Sequence, residues 1–136
     1  MPPSTQIYGL DTSVFVRLLT GHPEADFERT AKALKRLHDE DPGTELVVSN
    51  QAVGEAYITL QHFYGISKSD ARKAILHLFN TGSISPLNGQ PIIDILSKSG
   101  GAGLMDRLIT QDYNQHETTV LTNDKRMAKL EGARLL

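Results

Sequence analysis

Ile7-Tyr8-Gly9-Leu10, running on into Asp11-Thr12-Ser13-Val14-Phe15-Val16-Arg17-Leu18-Leu19, is the stretch on which the fold turns. Its first four residues are a short, largely apolar run and predict a buried strand. Val14, Leu18 and Leu19 then recur at helical spacing behind small polar residues suited to capping. A strand that passes through a tight turn into a helix is the opening half of a β-α-β unit. Downstream the same grammar repeats. Gly21 and Pro23 break the first helix; Phe27, Ala31, Leu34 and Leu37 predict a second, stopped by Asp41-Pro42-Gly43. Leu46-Val47-Val48 predicts a strand, Ser49 a cap, and Val53, Tyr57, Leu60 and Tyr64 the apolar face of a helix closed by Gly65.

Further along, Ser67 and Asp70 resemble a capping box ahead of Ala71, Ala74, Ile75 and Leu78, in a helix ending near Gly82. Ile84-Ser85-Pro86-Leu87 predicts a short or edge strand, because Pro86 has no N–H for a ladder, and Pro91 suits the first turn of a helix through Leu96. Gly100-Gly101-Ala102-Gly103 reads as a hinge into a helix bearing Met105, Leu108 and Ile109. Thr118-Thr119-Val120-Leu121 is the clearest strand, followed by a short helix around Met127 and Leu130 and a last strand over Ala133-Arg134-Leu135-Leu136. Parallel strands need crossovers, and helical crossovers cover a sheet on both faces. The expectation is therefore an α/β protein: one three-layer α/β/α domain over residues 1–136, with a mostly parallel central sheet of about five strands and a short polar tail over residues 1–5.

Composition narrows the function. The chain has 136 residues, enough for one well-packed core. Fourteen Lys and Arg against 16 Asp and Glu give a net charge of -2, so nucleic acid contact has to come from a local patch. With no cysteine there are no disulfides, thiolate sites or thiol nucleophiles, which fits a reducing compartment and makes the cytoplasm the expected location. Neither a secretion signal nor a membrane span is expected from the polar start and the short apolar runs.

In open parallel sheets, ligands bind beyond the carboxyl ends of the strands. Asp11 and Asp124 both stand at such ends, Glu55 near the start of the helix after the second strand, and Asp106 at the start of the helix after the glycine run. Each has an ordinary reading as a cap, turn or helix-dipole residue. Together they point at one crevice, where clustered carboxylates would repel one another unless a hard cation with oxygen ligands joined them. Magnesium or manganese fits this set. A calcium loop needs closely spaced ligands, zinc prefers histidine or cysteine, and His22, His38, His62, His77 and His116 show no ligand spacing. Such a cluster activates water and shields a phosphodiester under in-line attack, which is nuclease chemistry. Thr12, Ser13 and Thr122 are candidates to orient carboxylates or water. Arg107, Lys125 and Arg126 are candidate substrate contacts because they adjoin Asp106 and Asp124. Arg29, Lys32, Lys35 and Arg36 form a basic helical stripe that a solvated face explains equally well.

At this point the sequence resembles the PIN domains, and among them the VapC-type toxins of toxin-antitoxin pairs, over nearly its whole length. Leu10 to Leu19 is similar to the opening motif, with Asp11 at its aspartate; Val47-Val48-Ser49-Asn50-Gln51-Ala52-Val53-Gly54-Glu55 to the second, with Glu55 at the acidic position. Gly103-Leu104-Met105-Asp106-Arg107-Leu108-Ile109 resembles the third, and Val120-Leu121-Thr122-Asn123-Asp124-Lys125 the fourth. Gly103 stands where many relatives carry a further acidic or polar residue, and Arg107, Gln111 and Asp112 replace a small apolar run. The resemblance implies a magnesium- or manganese-dependent endoribonuclease acting on RNA, with Asp11, Glu55, Asp106 and Asp124 at the metal. It also implies a homodimer and inhibition by a small antitoxin protein that covers the acidic groove.

A phosphohydrolase of the haloacid dehalogenase type would need a second aspartate two residues after Asp11, where Ser13 stands, and a receiver domain would need a nucleophilic aspartate on the third strand. The other reading is a PIN scaffold that binds RNA or a protein partner without cleavage.

Overall fold

The structure, a computed structural model, describes residues 6–136, so the expected polar tail over residues 1–5 lies outside the described residues. Among the described residues the elements run β1 (Ile7–Gly9), α1 (Thr12–Thr20), α2 (Glu24–Glu40), β2 (Glu45–Val48), α3 (Asn50–Tyr64), α4 (Lys68–Asn80), β3 (Ser85–Pro86), α5 (Gln90–Leu96), α6 (Leu104–Gln115), β4 (Val120–Thr122), a 3-10 turn (Met127–Lys129) and β5 (Ala133–Leu135). The fold is α/β, and every strand pairs in parallel.

Hydrogen bonding divides the strands into two ladders. β2 lies between β1 and β3, whereas β4 pairs with β5. β1 is thus an edge with one neighbour, and its burial differs from the sequence expectation: Ile7 is 53% exposed and Tyr8 37%, and only Leu10, just past the strand, is buried. An apolar run predicts a strand, but burial depends on what covers it, and β1 has little cover on its open side. The outward Leu121 of β4 (60% exposed) has the same explanation.

Most of the core is helical. Phe15 of α1, Val53, Ala56 and Leu60 of α3, Ala71 and Ile75 of α4, and Ile92 and Leu96 of α5 close over Val48 of β2. The rings of Phe15 and Phe79 stack with centroids 5.6 Å apart, joining α1 to α4. At about 1.5–3 kcal/mol for each large apolar side chain fully buried, this cluster dominates the favourable side of folding. α2 contributes no fully buried residue and covers α1 from outside. Val120 and Met127 are buried but lie outside this main cluster.

Helix ends follow their local chemistry. Ser49 accepts from the Ala52 N–H at 3.2 Å and Ser67 from the Asp70 N–H at 3.1 Å, each satisfying a donor that its helix leaves open. The residue that closes α3, Gly65, takes φ 62°, a left-handed conformation in which glycine alone escapes the side-chain penalty.

Candidate functional site

Asp11 ends the segment leaving β1 and is the N-cap of α1. Its Oδ1 accepts from the Val14 N–H at 3.0 Å and from the Ser13 hydroxyl at 2.8 Å. The ordinary capping role is therefore real, yet it occupies one oxygen; Oδ2 has no protein donor among the described residues. Next along α1, Thr12 donates its hydroxyl to Glu55 Oε2 at 2.6 Å, and Gln51 Nε2 donates to Glu55 Oε1 at 3.0 Å. One residue thus links the opening acid of α1 to the acid of α3. These helices pack against each other directly after the parallel neighbours β1 and β2, which carries both acids to one end of the ladder.

These donors favour the charged forms. The backbone N–H of Val14, then the Ser13 hydroxyl, hold the Asp11 carboxyl below its usual value of 3.8 against a small opposing effect of burial. The Thr12 hydroxyl and then Gln51 do the same for Glu55 below 4.5. Both are ionised at neutral pH. Glu55 is the sixth residue of α3, past its first turn, so complementing the helix dipole does not explain it.

Asp106 lies in the first turn of α6, where a negative charge complements the helix end, and neither of its oxygens is hydrogen bonded among the described residues. α6 is seated on α3 through a close approach at Gly54, the residue before Glu55. A Cβ placed there would stand 2.7 Å from Met105 Cε and 2.8 Å from its sulfur. Asn50, 5% exposed, reinforces the seat: its Nδ2 donates to the Leu108 carbonyl at 3.0 Å and to Gln111 Oε1 at 2.9 Å. Asn88 Nδ2 donates to the same Gln111 oxygen and to Asp112 Oδ1, both at 2.8 Å. Polar Gln111 and Asp112, which replace an apolar run, thus have partners supplied by Asn50 and Asn88.

Asp124 sits beyond β4. Its Oδ1 accepts from the backbone N–H groups of Arg126 (2.8 Å) and Met127 (3.1 Å), and the Thr122 hydroxyl accepts from the Asp124 N–H at 3.0 Å. Thr122 therefore shapes the turn carrying Asp124 and does not touch its carboxylate. As in Asp11, one oxygen serves the fold, and Oδ2 is left without a protein donor among the described residues.

The donor set is all oxygen and suits a hard divalent cation. Among the described residues, however, no three Asp, Glu, His or Cys side chains form a group that could hold a metal ion. Thr12, next to Asp11, bonds Glu55, whereas Asp106 on α6 and Asp124 beyond β4 are not gathered with them into such a group.

Of the cationic candidates, Arg107 turns back on the glycine run, its Nε donating to the Ala102 carbonyl at 2.9 Å and Nη2 to the Gly100 carbonyl at 3.0 Å. A segment that reads as a hinge is thereby fastened to α6. Arg126 lines an open cleft beside it, while the exposed Lys125 forms no ion pair among the described residues. In the α2 stripe, Arg29 pairs with Asp26, and Lys35 with Asp39 at 3.4 Å, so two of its charges are answered locally. Sequence reading missed Gln51, although its place four residues before Glu55 on one helical face was a usable signal. It also missed Lys98 and Lys129, which meet in the cleft from distant segments and carry no local signature.

The family model described as PIN domain matches residues 8–133. No curated protein matches the chain. No helix among the described residues is long and apolar enough to cross a membrane.

Proposed function

Since the chain belongs to the PIN-domain family, whose members are generally nucleases, we propose that it is a magnesium- or manganese-dependent endoribonuclease and the toxin of a toxin-antitoxin pair. The observation that carries the nuclease reading is the pairing of two acids on helices that follow adjacent parallel strands: Asp11 capping α1, and Glu55 of α3 held by Thr12, the residue after Asp11. A structural cap accounts for Asp11; it does not account for a second carboxylate held by the residue that follows.

Asp11, Glu55, Asp106 and Asp124 are the residues that would hold the metal, and when bound it supplies an activated water and charge shielding for the phosphodiester. The protein's own part is to hold Asp11 and Glu55 in place through the Val14 N–H, Ser13, Thr12 and Gln51, aiming their oxygens before substrate arrives. No side-chain nucleophile is required. Incubating purified protein with mixed structured and single-stranded RNA in magnesium, manganese or EDTA tests this. Cleavage only with metal is expected; equal cleavage in EDTA refutes it.

One observation favours the second reading, a scaffold that binds RNA or a partner without cutting: no three of the described acids form a metal-binding group. RNA binding without cleavage in any metal, by folded protein free of inhibitor, selects that reading.

The toxin assignment rests on the order of the four motifs, and a small DNA-binding protein encoded next door and co-purifying would support it. An isolated gene with no co-purifying peptide counts against it. A homodimer is part of the proposal, supported by exposed apolar residues such as Phe63 (84% exposed) that need cover. Location in the cytoplasm is proposed from the absence of cysteine.

A further inference from the structure

Between the glycine run and the 3-10 turn lies an open cleft of about 770 Å³ lined by Lys98, Arg107, Arg126, Lys129 and Glu131, with the backbone of Gly100 and Gly101. Four cationic side chains face one acid, in a chain whose net charge is -2. None of these four is within 4.0 Å of a carboxylate among the described residues, unlike Arg17, Arg29 and Lys35, which are answered by Asp26 and Asp39. A concentration of like charge costs stability unless a ligand answers it, and a concave wall holds more of that field than a flat face does.

Arg107 gives the cleft a fixed element. Its two bonds to Gly100 and Ala102 use two of the five guanidinium donors and immobilise the side chain, leaving the others for a ligand. The approach is close: at Gly101, with φ 68°, an added Cβ would stand 3.3 Å from Nη2. Lys98 and Lys129 are exposed and add mobile charge. Sequence continuity ties the cleft to the acids. Arg107 follows Asp106, and the Arg126 backbone N–H that binds Asp124 belongs to a residue whose side chain lines the cleft.

We propose that this cleft is a phosphate-binding subsite that grips the RNA backbone beyond the bond being cut, an inference resting on the ribonuclease reading. Such a site takes any sequence, fixes the direction of the strand across the acids, and acts on affinity far more than on the chemical step.

The test is the double variant Lys98→Ala/Lys129→Ala, two exposed positions whose truncation leaves the core untouched. Binding of single-stranded RNA is measured by fluorescence anisotropy in EDTA across a salt series, and cleavage with magnesium is measured alongside. Weaker binding is expected, with the slope of log K against log salt reduced by roughly 1.4, about 0.7 for each lost phosphate contact to a single strand. KM should rise while kcat stays within about twofold. Affinity and slope equal to the wild type, beside intact metal-dependent cleavage, overturn the subsite and leave the nuclease reading standing. Binding weakened in the variant, with no cleavage by either protein in any metal, supports the cleft and sinks the nuclease reading. A wild-type protein that does not bind RNA at all overturns the subsite.

Discussion

Asp11 has two roles that substitution can separate. As an N-cap, its Oδ1 satisfies the Val14 N–H, and asparagine supplies an equivalent oxygen whereas alanine supplies none. Loss of the cap costs about 1–2 kcal/mol. Loss of the charge alone removes a favourable interaction with the helix end, about 0.3–0.5 kcal/mol at an exposed position in moderate salt. For 136 residues, at about 2.1 cal/mol/K each, the unfolding entropy is roughly 0.29 kcal/mol/K. Asp11→Ala should therefore lower Tm by about 5 °C and Asp11→Asn by about 1 °C in EDTA, read by circular dichroism. Both should abolish metal-dependent RNA cleavage, since neither keeps the ionised oxygen. If asparagine destabilises as much as alanine, the capping account is wrong; full cleavage by a folded Asp11→Asn protein removes Asp11 from the proposed metal site.

Thr12→Val removes the hydroxyl that does most to depress Glu55, so the Glu55 carboxyl should titrate nearer 4.5 when followed by NMR, and an unchanged titration refutes the link. In the wild type both depressed acids contribute stability that is complete above 3.8 and 4.5 and fades as pH falls through their lowered values, so these two groups should leave stability flat between pH 5 and 8. Gly54→Ala should be near neutral in chemical denaturation, a helix-propensity gain of about 1 kcal/mol offsetting displacement of the flexible Met105 tip, whereas Gly54→Leu should cost about 1–3 kcal/mol by overpacking the α3–α6 contact. Equal effects from both would deny the close approach. Asn50→Asp replaces a buried donor with a charge facing the Leu108 and Gln111 oxygens, with an expected loss of about 2–3 kcal/mol at neutral pH. A neutral outcome there would show that Asn50 does not tie the helices.

The sequence was legible where structure is local. Caps at Asp11, Ser49 and Ser67, the left-handed stop at Gly65 and the strand-helix alternation each depend on a few neighbouring residues. It misled where the outcome depends on distant partners. The apolar β1 run is exposed where one side of the strand has no ladder neighbour among the described residues, and the glycine run is fastened because Arg107 reaches back from the next helix. Among the proposed site residues, the four acids stood out by type and by position near element ends. The Thr12–Glu55 bond crosses 43 residues and could not be read from either motif alone. Nor could the basic cleft, whose lysines come from the segment after α5 and from the 3-10 turn.

The division into two ladders also bears on how the molecule should open. β4 and β5 share a three-residue register, and the buried Val120 and Met127 nearby stand apart from the principal apolar cluster. Such a segment belongs to the low end of local stability, so its amides should exchange with deuterium sooner than those of α3; matched exchange in both would refute this. Because Asp124 travels with that segment, a transient excursion of residues 120–135 would switch off the proposed chemistry while Phe15, Val53 and Ile75 stay packed. Thermal inactivation should then precede, and reverse more readily than, loss of the helical signal.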